Sequence, residues 1–346
     1  MKTSHIFIIA ILFLIPASCS KHSSSTSSKE LKIVLNTNTI YNDGLDELIV
    51  EVYDANENKV TSDAQILIDG VVISGNTFKA SDTKTYTAKA VFKGKESNIV
   101  TFNSIRHEVN NFSRKITMEE FAGTWCSLCT RFTYLIDTMV QHNNKIIPVT
   151  IHSNDPYQYV LEQQMRARFS NLNFPSAYIN RSLFWDQSAI MIQTELDKKS
   201  KLGISINTSV GSNNINAEVK VKFDISSSEK LSIVVALLED SLISTQYNFY
   251  NYTSSSPFYG LGDPIQNYVH NNTLRVAATD IFGDTIPVSS QRKNQIWSKA
   301  YSINTNSYNI AHCKVVAYVF FTENNQRRWG VLNAQVTEAG KSIDFD

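Results

Sequence analysis

Hydrophobic and polar residues alternate with a period of two from residue 32 to about residue 106. Within 86–92, every second side chain is apolar and falls on one face of a predicted strand. Turn residues such as Asp69-Gly70 interrupt the alternation at short intervals. Many short strands separated by turns are typical of a small β-sandwich, and we predict one over 32–106.

The pattern changes after Phe112, where apolar runs alternate with segments of helical periodicity. Three short runs predict buried strands at 115–121, 146–151 and 176–179. Three segments with apolar residues at helical spacing predict helices at 127–142, 157–169 and 186–199, the last capped by Asp186. Strands that alternate with helices predict a central α/β domain over 112–201.

After Gly203 the period of two returns and continues to the end of the chain. Five apolar segments predict strands at about 204–206, 217–223, 233–238, 315–321 and 331–336. We therefore predict a second, larger β-sandwich over 202–346. Between its strands, the aromatic loop 247–259 is interpreted either as a surface that binds a peptide or glycan, or as a segment packed on the sandwich.

The chain as a whole is thus predicted to be a multidomain α+β protein, and its composition narrows the possible functions. The sequence has 32 Lys and Arg residues against 32 Asp and Glu residues, so its formal net charge is zero. Because there is no basic excess, nucleic acid is not an expected partner. Four cysteines are too few for a disulfide-rich scaffold, so each one needs its own explanation.

The N-terminal residues 1–18 have the features of an export signal. Lys2 supplies a positive charge, and the apolar run 6–15 is too short to span a membrane comfortably. Small residues then precede Cys19. This arrangement resembles the signal of a bacterial lipoprotein, which implies that Cys19 carries a lipid anchor and that the Ser-rich segment 19–31 is a tether.

Two neighbours of Cys19 bear on this resemblance. Pro16 stands where lipoprotein signals usually have Leu, and Ser20 resembles the residue that sorts lipoproteins to the outer rather than the inner membrane. The resemblance therefore implies a lipid-anchored outer-membrane protein on either the periplasmic or the surface face. The alternative is ordinary cleavage, which would leave a soluble exported protein.

A C-x-x-C motif lies where a predicted strand leads into a predicted helix. The free N–H groups of a helix N-terminus stabilise a thiolate at Cys126, while Cys129 is placed to resolve a mixed disulfide. A closed zinc site would need two further Cys or His ligands, and only isolated His residues and Cys313 are available. We therefore expect a redox-active pair, without a cofactor or a structural metal.

Two residues outside the motif agree with this chemistry. Glu120 lies on the strand that delivers the motif, where a buried carboxyl group with a raised pKa could carry the proton of the Cys129 thiol. The alternative is that Glu120 is a surface carboxylate, with Glu119 buried in its place or with neither buried. Pro175 precedes the predicted strand 176–179, and a cis peptide bond there would present the backbone beside the cysteines.

These segments resemble the thioredoxin fold, in TMEEFAGTWCSLC and in NFPSAYINR. The resemblance implies a set of catalytic residues, namely the attacking thiol Cys126, the resolving thiol Cys129, the buried acid Glu120, the cis-proline Pro175 and the adjacent Trp125. The dipeptide Ser127-Leu128 replaces the Gly-Pro of thioredoxin, which tunes the redox potential. The direction of electron flow is therefore open.

The arrangement as a whole resembles the outer membrane protein 28 related lipoproteins of Bacteroidetes. The similarity extends to VHNNTLRVAATDIFGD and WGVLNAQV, and so covers the chain from about Phe112 to the C-terminus. It implies an outer-membrane lipoprotein with a thioredoxin-like core and an unnamed substrate. The N-terminal module lies outside this similarity, and its segment TYTAKAVFKGKESNIVTF resembles bacterial immunoglobulin-like modules, which often act as spacers.

Several isolated polar residues have more than one interpretation. His152 and Asp155 follow a predicted parallel strand and are expected near the thiols, where His152 either stabilises a thiolate, binds a metal or is an ordinary loop residue. His270 and Arg275 are expected to have structural roles. Cys313 lies in an apolar strand and is predicted to be a small buried hydrophobic residue.

Three functional hypotheses follow from these observations. In the first, the protein is an envelope thiol–disulfide oxidoreductase that acts on exported proteins carrying thiols or disulfides. In the second, it is a binding or structural lipoprotein with an unknown envelope partner, and the cysteine pair is only a structural disulfide. In the third, Cys126, Cys129 and His152 carry copper(I), a soft ion that thiolates prefer.

Overall fold

The computed structural model describes residues 30–107, 111–169, 173–305, 307–322 and 330–346. The predicted export signal 1–18 and the predicted lipidation site Cys19 lie outside the described residues. Among the residues that are described, no helix is long and apolar enough to cross a membrane.

The N-terminal module, residues 30–107, is built from two β-sheets around a common core. Its strands are β1 (Lys32–Leu35), β2 (Thr39–Tyr41), β3 (Leu48–Tyr53), β4 (Gln65–Ile68), β5 (Val71–Val72), β6 (Thr77–Phe78), β7 (Lys84–Phe92), β8 (Lys95–Glu96) and β9 (Val100–Ile105). One sheet has the order β1-β3-β6 and the other β2-β9-β7-β4-β5, with β8 paired to β7. The alternating sequence determines the core, because Tyr86, Ala88 and Ala90 of β7 face inward.

In the described part of the chain, nine strands form one long mixed sheet. Its strands are β10 (Ile116–Ala122), β11 (Ile146–His152), β12 (Ser176–Ile179), β13 (Leu183–Phe184), β16 (Leu231–Glu239), β19 (Thr273–Ala277), β20 (Asp284–Ile286), β22 (Cys313–Phe321) and β23 (Val331–Glu338). The order is β13-β12-β10-β11-β19-β16-β22-β23, with β20 paired to β16. Strand β11 runs parallel to both of its neighbours, β10 and β19.

The predicted fold class, a multidomain α+β protein with a central thioredoxin-like α/β domain, is wrong. The protein is mostly β, with 45% of the chain in strands and 13% in helices over the described residues. An unpaired strand edge needs a partner, and the C-terminal half supplies one to β11 where Thr150 pairs with Thr273. The central strands therefore continue into the strands of the predicted C-terminal sandwich, and one hydrophobic core contains both Ile151 and Val234.

Three helices of the described chain lie against β10 to β12. They are α1 (Cys129–His142), α2 (Glu162–Phe169) and α3 (Ala189–Leu196). Helices α1 and α3 share a core with Met118, whereas α2 shares a core with Phe121 on the opposite face of β10. The cap of α3 is Ser188, whose hydroxyl accepts a hydrogen bond from the Ile190 N–H, rather than the predicted Asp186.

A second sheet of the C-terminal half packs on the long mixed sheet. Its strands are β14 (Leu202–Val210), β15 (Asn214–Phe223), β21 (Ile296–Asn304) and β24 (Ser342–Ile343), in the order β21-β15-β14-β24. Alternate residues of β14 and β15 fill the space between the two sheets. Separately, β17 (Leu242–Gln246) and β18 (Ile265–His270) form a hairpin, whose connection 247–264 reaches the cysteine motif.

The N-terminal module is joined to the rest of the protein by a buried polar junction. Nε2 of His107 lies 3.1 Å from an oxygen of Asp224, and its Nδ1 lies 3.5 Å from Asp43. Lys201 forms an ion pair with Asp43, and its Nζ lies 3.1 Å from Nδ1 of His107. The ring of Tyr41 stacks on His107 with centroids 3.9 Å apart.

Candidate functional site

Cys126 and Cys129 form a disulfide at the start of α1. Both are nearly buried, because only 5% of Cys126 and 1% of Cys129 is exposed. The helix begins at Cys129, and Leu128 at its N-cap provides no side-chain hydrogen bond to the free N–H groups. The positive end of the helix dipole is thus directed at the cysteine turn, which favours the thiolate form of a reduced cysteine there.

Trp125 fixes the turn that carries Cys126. Its indole Nε1 donates a 2.7 Å hydrogen bond to the Ser153 carbonyl oxygen, and its ring contacts the Phe174 ring with centroids 5.2 Å apart. A Cβ atom on Gly123 would lie 2.6 Å from the indole nitrogen, so this position requires glycine. The indole remains 41% exposed and forms part of the surface beside the disulfide.

Glu120 is buried on the face of β10 that α1 covers, and 1% of it is exposed. The hydroxyl of Thr133, one helical turn after Cys129, donates a 2.6 Å hydrogen bond to its carboxyl group. Burial raises the pKa of Glu120 to about 8, against the opposing effect of the Thr133 hydrogen bond. At neutral pH the carboxyl group is therefore protonated and has a proton to give.

Glu119 is buried too, but it belongs to the opposite face of β10. Both of its carboxylate oxygens lie 3.1 Å from Nε of Arg181, and the Tyr318 hydroxyl donates to it. The interpretation of Glu120 as a surface carboxylate is wrong, because both glutamates are inside the protein. Glu119 is held in an ion pair, whereas the partners that the described part of the chain supplies to Glu120 are hydroxyl groups and an adjacent acid.

That adjacent acid is Asp137, one further turn along α1. Burial raises the pKa of Asp137 to about 6, and the charge of Asp240 adds to the shift while Lys314 opposes it. Asp137 in turn raises the pKa of Glu120. A set of polar groups thus lies where β10 meets α1. It consists of the buried Glu120 of β10 and the half-buried Thr133 and Asp137 of α1.

The Phe174–Pro175 peptide bond is cis and lies directly before β12. Strand β12 pairs with β10 through Ser176 and Phe121, which brings this bend to the end of β10 that leads to the cysteines. Phe174 packs against the buried cluster of Ala122, Cys126 and Cys129.

A groove of about 540 Å³ opens beside the cysteine motif. Its walls combine four separate parts of the chain: Leu128 from the motif, Phe174 and Pro175 from the cis bend, Phe184 from β13, and Tyr250 from the hairpin connection. Leu128 is 42% exposed and Phe184 is 51% exposed. Arg131, Asp186 and Gln187 also line it, so the groove is a mixed apolar and polar surface beside the cysteine motif.

The aromatic loop 247–259 is packed against the cysteine motif rather than on a sandwich. The Tyr247 N–H donates 2.8 Å to the Thr124 carbonyl oxygen, and the Phe249 N–H donates 3.1 Å to that of Ser127. Aromatic side chains of this loop also face solvent, since 63% of Phe249 is exposed. The loop is therefore packed on a different part of the protein than the predicted sandwich, and its binding of a peptide or glycan stays a prediction.

The polar loop after β11 supports the turn from the other side. The Asp155 carboxylate accepts a 2.9 Å hydrogen bond from the Thr124 N–H, and its second partner is Nδ1 of His152 at 2.6 Å. Burial alone would raise the pKa of Asp155. The hydrogen bonds outweigh that effect, and the one from His152 contributes most, so the pKa of Asp155 lies below its ordinary value. His152 is buried and engaged with Asp155, so its role in the structure is to position the loop.

The remaining candidates lie farther from the cysteine pair. His270 closes the hairpin, where Nε2 lies 3.2 Å from the Ser244 hydroxyl, and burial lowers its pKa to about 4. Arg275 pairs with Glu239 at 3.2 Å. Cys313 is buried and forms no disulfide, as the apolar pattern predicts, and burial raises the pKa of its thiol to about 12. The described residues contain no cluster of three or more His, Cys, Asp or Glu side chains suited to a metal, so the copper hypothesis gains no support.

Sequence reasoning missed three residues of the site. Thr133 and Asp137 follow Cys129 at helical spacing, so their position over Glu120 could have been found from the periodicity of α1. Gln246 reaches the carbonyl oxygen of Cys126 from 120 positions away in the chain. No local pattern in the sequence indicates that contact.

The fold and the site together define a mostly β protein that carries a cysteine pair at the start of a helix, beside a buried acid. The family model described as outer membrane protein Omp28 matches residues 162–342, which is more than half of the 346 residues. The chain therefore belongs to this family. Family membership indicates an envelope protein associated with the outer membrane. The matched region includes Pro175 and the hairpin connection, and it begins after the cysteine motif.

Among solved structures, the chain is similar to HBP35 of Porphyromonas gingivalis. The TM-score is 0.53 at 16% sequence identity, and the similarity covers 67% of this chain and 77% of that one. At this identity the likeness concerns the fold alone. The adhesin InvE of Yersinia pseudotuberculosis matches with a TM-score of 0.20 and 9% identity, over 90% of this chain and 59% of that chain, which is too low to indicate a shared fold. No curated protein sequence matches the chain.

Proposed function

We propose that this protein is a lipid-anchored thiol–disulfide oxidoreductase of the outer membrane, which acts on exported proteins that carry thiols or disulfides. The observation that carries the proposal is the Cys126–Cys129 disulfide at the start of α1, with the protonated Glu120 held against the same helix by Thr133. A helix N-terminus favours a thiolate, and a buried acid can donate a proton to the cysteine thiolate that leaves when the disulfide opens.

The chemistry begins at Cys126, which is the more exposed of the two cysteines. A thiolate of the partner attacks Sγ of Cys126, the bond between the cysteines breaks, and Cys129 leaves as a thiolate that takes a proton from Glu120. A second partner thiolate then attacks the partner's own sulfur in the mixed disulfide, and Cys126 leaves as a thiolate. Two electrons have passed from the partner dithiol to the protein, and the reverse sequence reduces a partner disulfide.

The residues around the cysteines position the partner in this scheme. Trp125 and Phe174 form an apolar surface next to Cys126, and the cis bend at Pro175 lies between that surface and the groove. An extended segment of a partner in this groove would bring its own sulfur to Cys126. The polar groups that move the proton lie beneath α1, away from that contact surface.

The test is a redox titration of the purified protein in glutathione buffers, combined with turnover of a disulfide substrate. We expect a reversible couple within the span of about −120 to −270 mV that known catalysts cover. Turnover is expected to be lost in Cys126→Ser and to be unchanged in Cys313→Ser, the matched control for a buried cysteine outside the site. A disulfide that is reduced only below about −300 mV, without turnover, would contradict the proposal.

A second candidate function rests on the burial of the two sulfurs. Since Cys126 and Cys129 are 5% and 1% exposed, the pair has the burial of a structural disulfide in an envelope protein that binds a partner through its exposed aromatic loop. The titration separates the two functions, because a structural disulfide contributes stability without turnover. In that case Cys126→Ser would lower the midpoint of unfolding and leave partner binding intact.

The lipid anchor is tested apart from the redox chemistry. We propose that Cys19 carries the lipid and that the Ser-rich segment 19–31 is the tether. Cys19→Ala is expected to release the protein from the outer-membrane fraction, whereas Ser20→Ala leaves it there or moves it to the inner membrane. A Cys19→Ala protein that stays in the outer membrane would exclude a lipid anchor at this position.

A further inference from the structure

Gln246 makes side-chain contacts with the cysteine turn although it belongs to the distant β17–β18 hairpin. Its Nε2 donates a 2.9 Å hydrogen bond to the Cys126 carbonyl oxygen and lies 3.4 Å from that of Gly123. A third acceptor is the carbonyl oxygen of Tyr247 at 3.1 Å. Only 3% of Gln246 is exposed, so these hydrogen bonds lie inside the protein.

The hairpin is irregular at the point where Gln246 enters the site. The register between β17 and β18 shifts between Ser244 and Gln246, which is the signature of a β-bulge. A bulge re-aims a side chain, and bulges are frequent beside functional sites. Here Ser244 pairs with Tyr268 and Gln246 with Ile265, so the extra residue lies on β18, opposite the strand whose Gln246 amide reaches Cys126.

The connection that follows Gln246 is held in one conformation by its own hydrogen bonds. Asn248 is buried, and its side-chain amide donates to the carbonyl oxygens of Phe258 and Gly262 at 3.0 Å each. Its backbone N–H donates 2.9 Å to the carboxylate of Asp263. Since the connection is closed on itself, the amide of Gln246 is fixed before any change of state at the cysteines.

The position of this amide has an electrostatic consequence for the cysteine pair. The carbonyl oxygens of Gly123 and Cys126 belong to the turn that carries the cysteines, where they also accept hydrogen bonds from the N–H groups of Cys126 and Cys129. Their partial negative charge disfavours a thiolate on the same turn. The N–H groups of Gln246 offset that charge, and a buried hydrogen bond of this kind is electrostatically stronger than one in water. Stabilisation of the thiolate stabilises the reduced protein and makes the disulfide more oxidising.

We propose that Gln246 is a positioning residue that sets the redox equilibrium of Cys126 and Cys129, because its amide holds the carbonyl oxygens of the cysteine turn. This inference rests on the proposed function for its biological meaning. Its physical content, a shift in the equilibrium between dithiol and disulfide, can be measured whether or not the protein turns over a substrate.

The experiment compares the wild-type chain with Gln246→Met, which keeps the length of the side chain and removes its donors. Gln266→Met is the matched control, since Gln266 is an exposed glutamine on the same hairpin. We expect the glutathione equilibrium of Gln246→Met to shift about tenfold toward the disulfide, equivalent to about 30 mV more negative, and the pKa of the Cys126 thiol to rise. The control should match wild type in both measurements.

Two outcomes would overturn the proposal. One is a folded Gln246→Met protein whose equilibrium and Cys126 pKa equal those of wild type. The other, used if Gln246→Met fails to fold, is an unshifted equilibrium in Gln246→Asn, whose shorter side chain draws the amide away from Cys126. Absence of turnover in wild-type protein, with a shifted equilibrium in Gln246→Met, would instead refute the oxidoreductase and leave this inference standing.

Discussion

The hydroxyl of Thr133 donates a 2.6 Å hydrogen bond to the carboxyl group of Glu120 and thereby joins the buried acid to the helix that begins at Cys129. This contact connects the two parts of the candidate site that come from different elements, the strand β10 and the helix α1. It also holds the acid in place, and among the described residues no cation is paired with it. The chemical role of Glu120 can therefore be tested apart from its structural role.

Replacement of Glu120 by Gln is expected to slow reduction of the disulfide by a dithiol at pH 7 by roughly 100-fold, because general acid catalysis contributes at least that much. The amide keeps the size of the side chain and has no acidic proton. The rate is measured by rapid-mixing tryptophan fluorescence, and Glu338→Gln, an exposed glutamate, is the control. Equal rates in wild type and Glu120→Gln would remove Glu120 from the mechanism.

The pKa of Glu120 also predicts how stability depends on pH. Its pKa is raised by burial from 4.5 to about 8, so between these values the unfolded chain has lost a proton that the folded chain keeps. The contribution of Glu120 to the free energy of unfolding is fully present below about pH 4.5 and is lost as the pH rises through about 8. Between these values the free energy of unfolding falls by up to roughly 1.4 kcal/mol per pH unit. Urea unfolding of the oxidised protein should show this slope, and Glu120→Gln should reduce it.

A second pH effect is expected at the junction that holds the N-terminal module. Burial and the charge of Lys201 both lower the pKa of His107. The hydrogen bonds to Asp224 and Asp43 outweigh them, so the pKa of His107 is raised above 6.5. When folding raises the pKa of a histidine, its contribution to the free energy of unfolding is complete below pH 6.5. That contribution is lost as the pH rises through the pKa of the folded protein. His107→Gln should therefore destabilise the protein more at pH 6 than at pH 8. An equal loss at both values would show that folding does not shift the pKa of His107.

Gly123 is expected to tolerate no side chain. In Gly123→Ala the new Cβ atom would lie 2.6 Å from the Trp125 indole nitrogen and 3.0 Å from the Ser153 carbonyl oxygen, so the hydrogen bond between those groups must break. We expect a loss of about 1–3 kcal/mol in the free energy of unfolding, together with a changed Trp125 fluorescence. Gly330→Ala is the control, because the one described residue that its Cβ atom would meet is Phe321, at the ordinary contact distance of 3.9 Å.

Local patterns in the sequence predict the elements of the site well. The predicted strand 176–179 is β12, the apolar run 146–151 lies within β11, and the predicted helix 127–142 contains α1. These elements follow from the spacing of apolar residues, which is a local property of the chain. The sequence left the burial of Glu120 open, and the structure places this residue in a strand that is buried along its whole length.

The pairing of strands is not local, and it is the point at which the prediction of fold class failed. Nothing in the sequence around Thr150 indicates that Thr273 lies beside it, because both segments read as ordinary buried strands. A central α/β unit that pairs with β19 becomes part of a larger sheet. The same limit applies to Gln246, whose contact with Cys126 joins residues that are 120 positions apart in the chain.

The distance along the chain between Cys126 and Gln246 also sets an order of events during synthesis. The amide that covers the cysteine turn follows it by 120 residues, and the chain is made from its N-terminus at roughly 5–20 residues per second. For about ten seconds the two thiols have therefore emerged while the segment that shields them has not yet been made. The nascent chain thus carries its cysteine pair, for that interval, without the hairpin whose amide covers the cysteine turn in the folded protein.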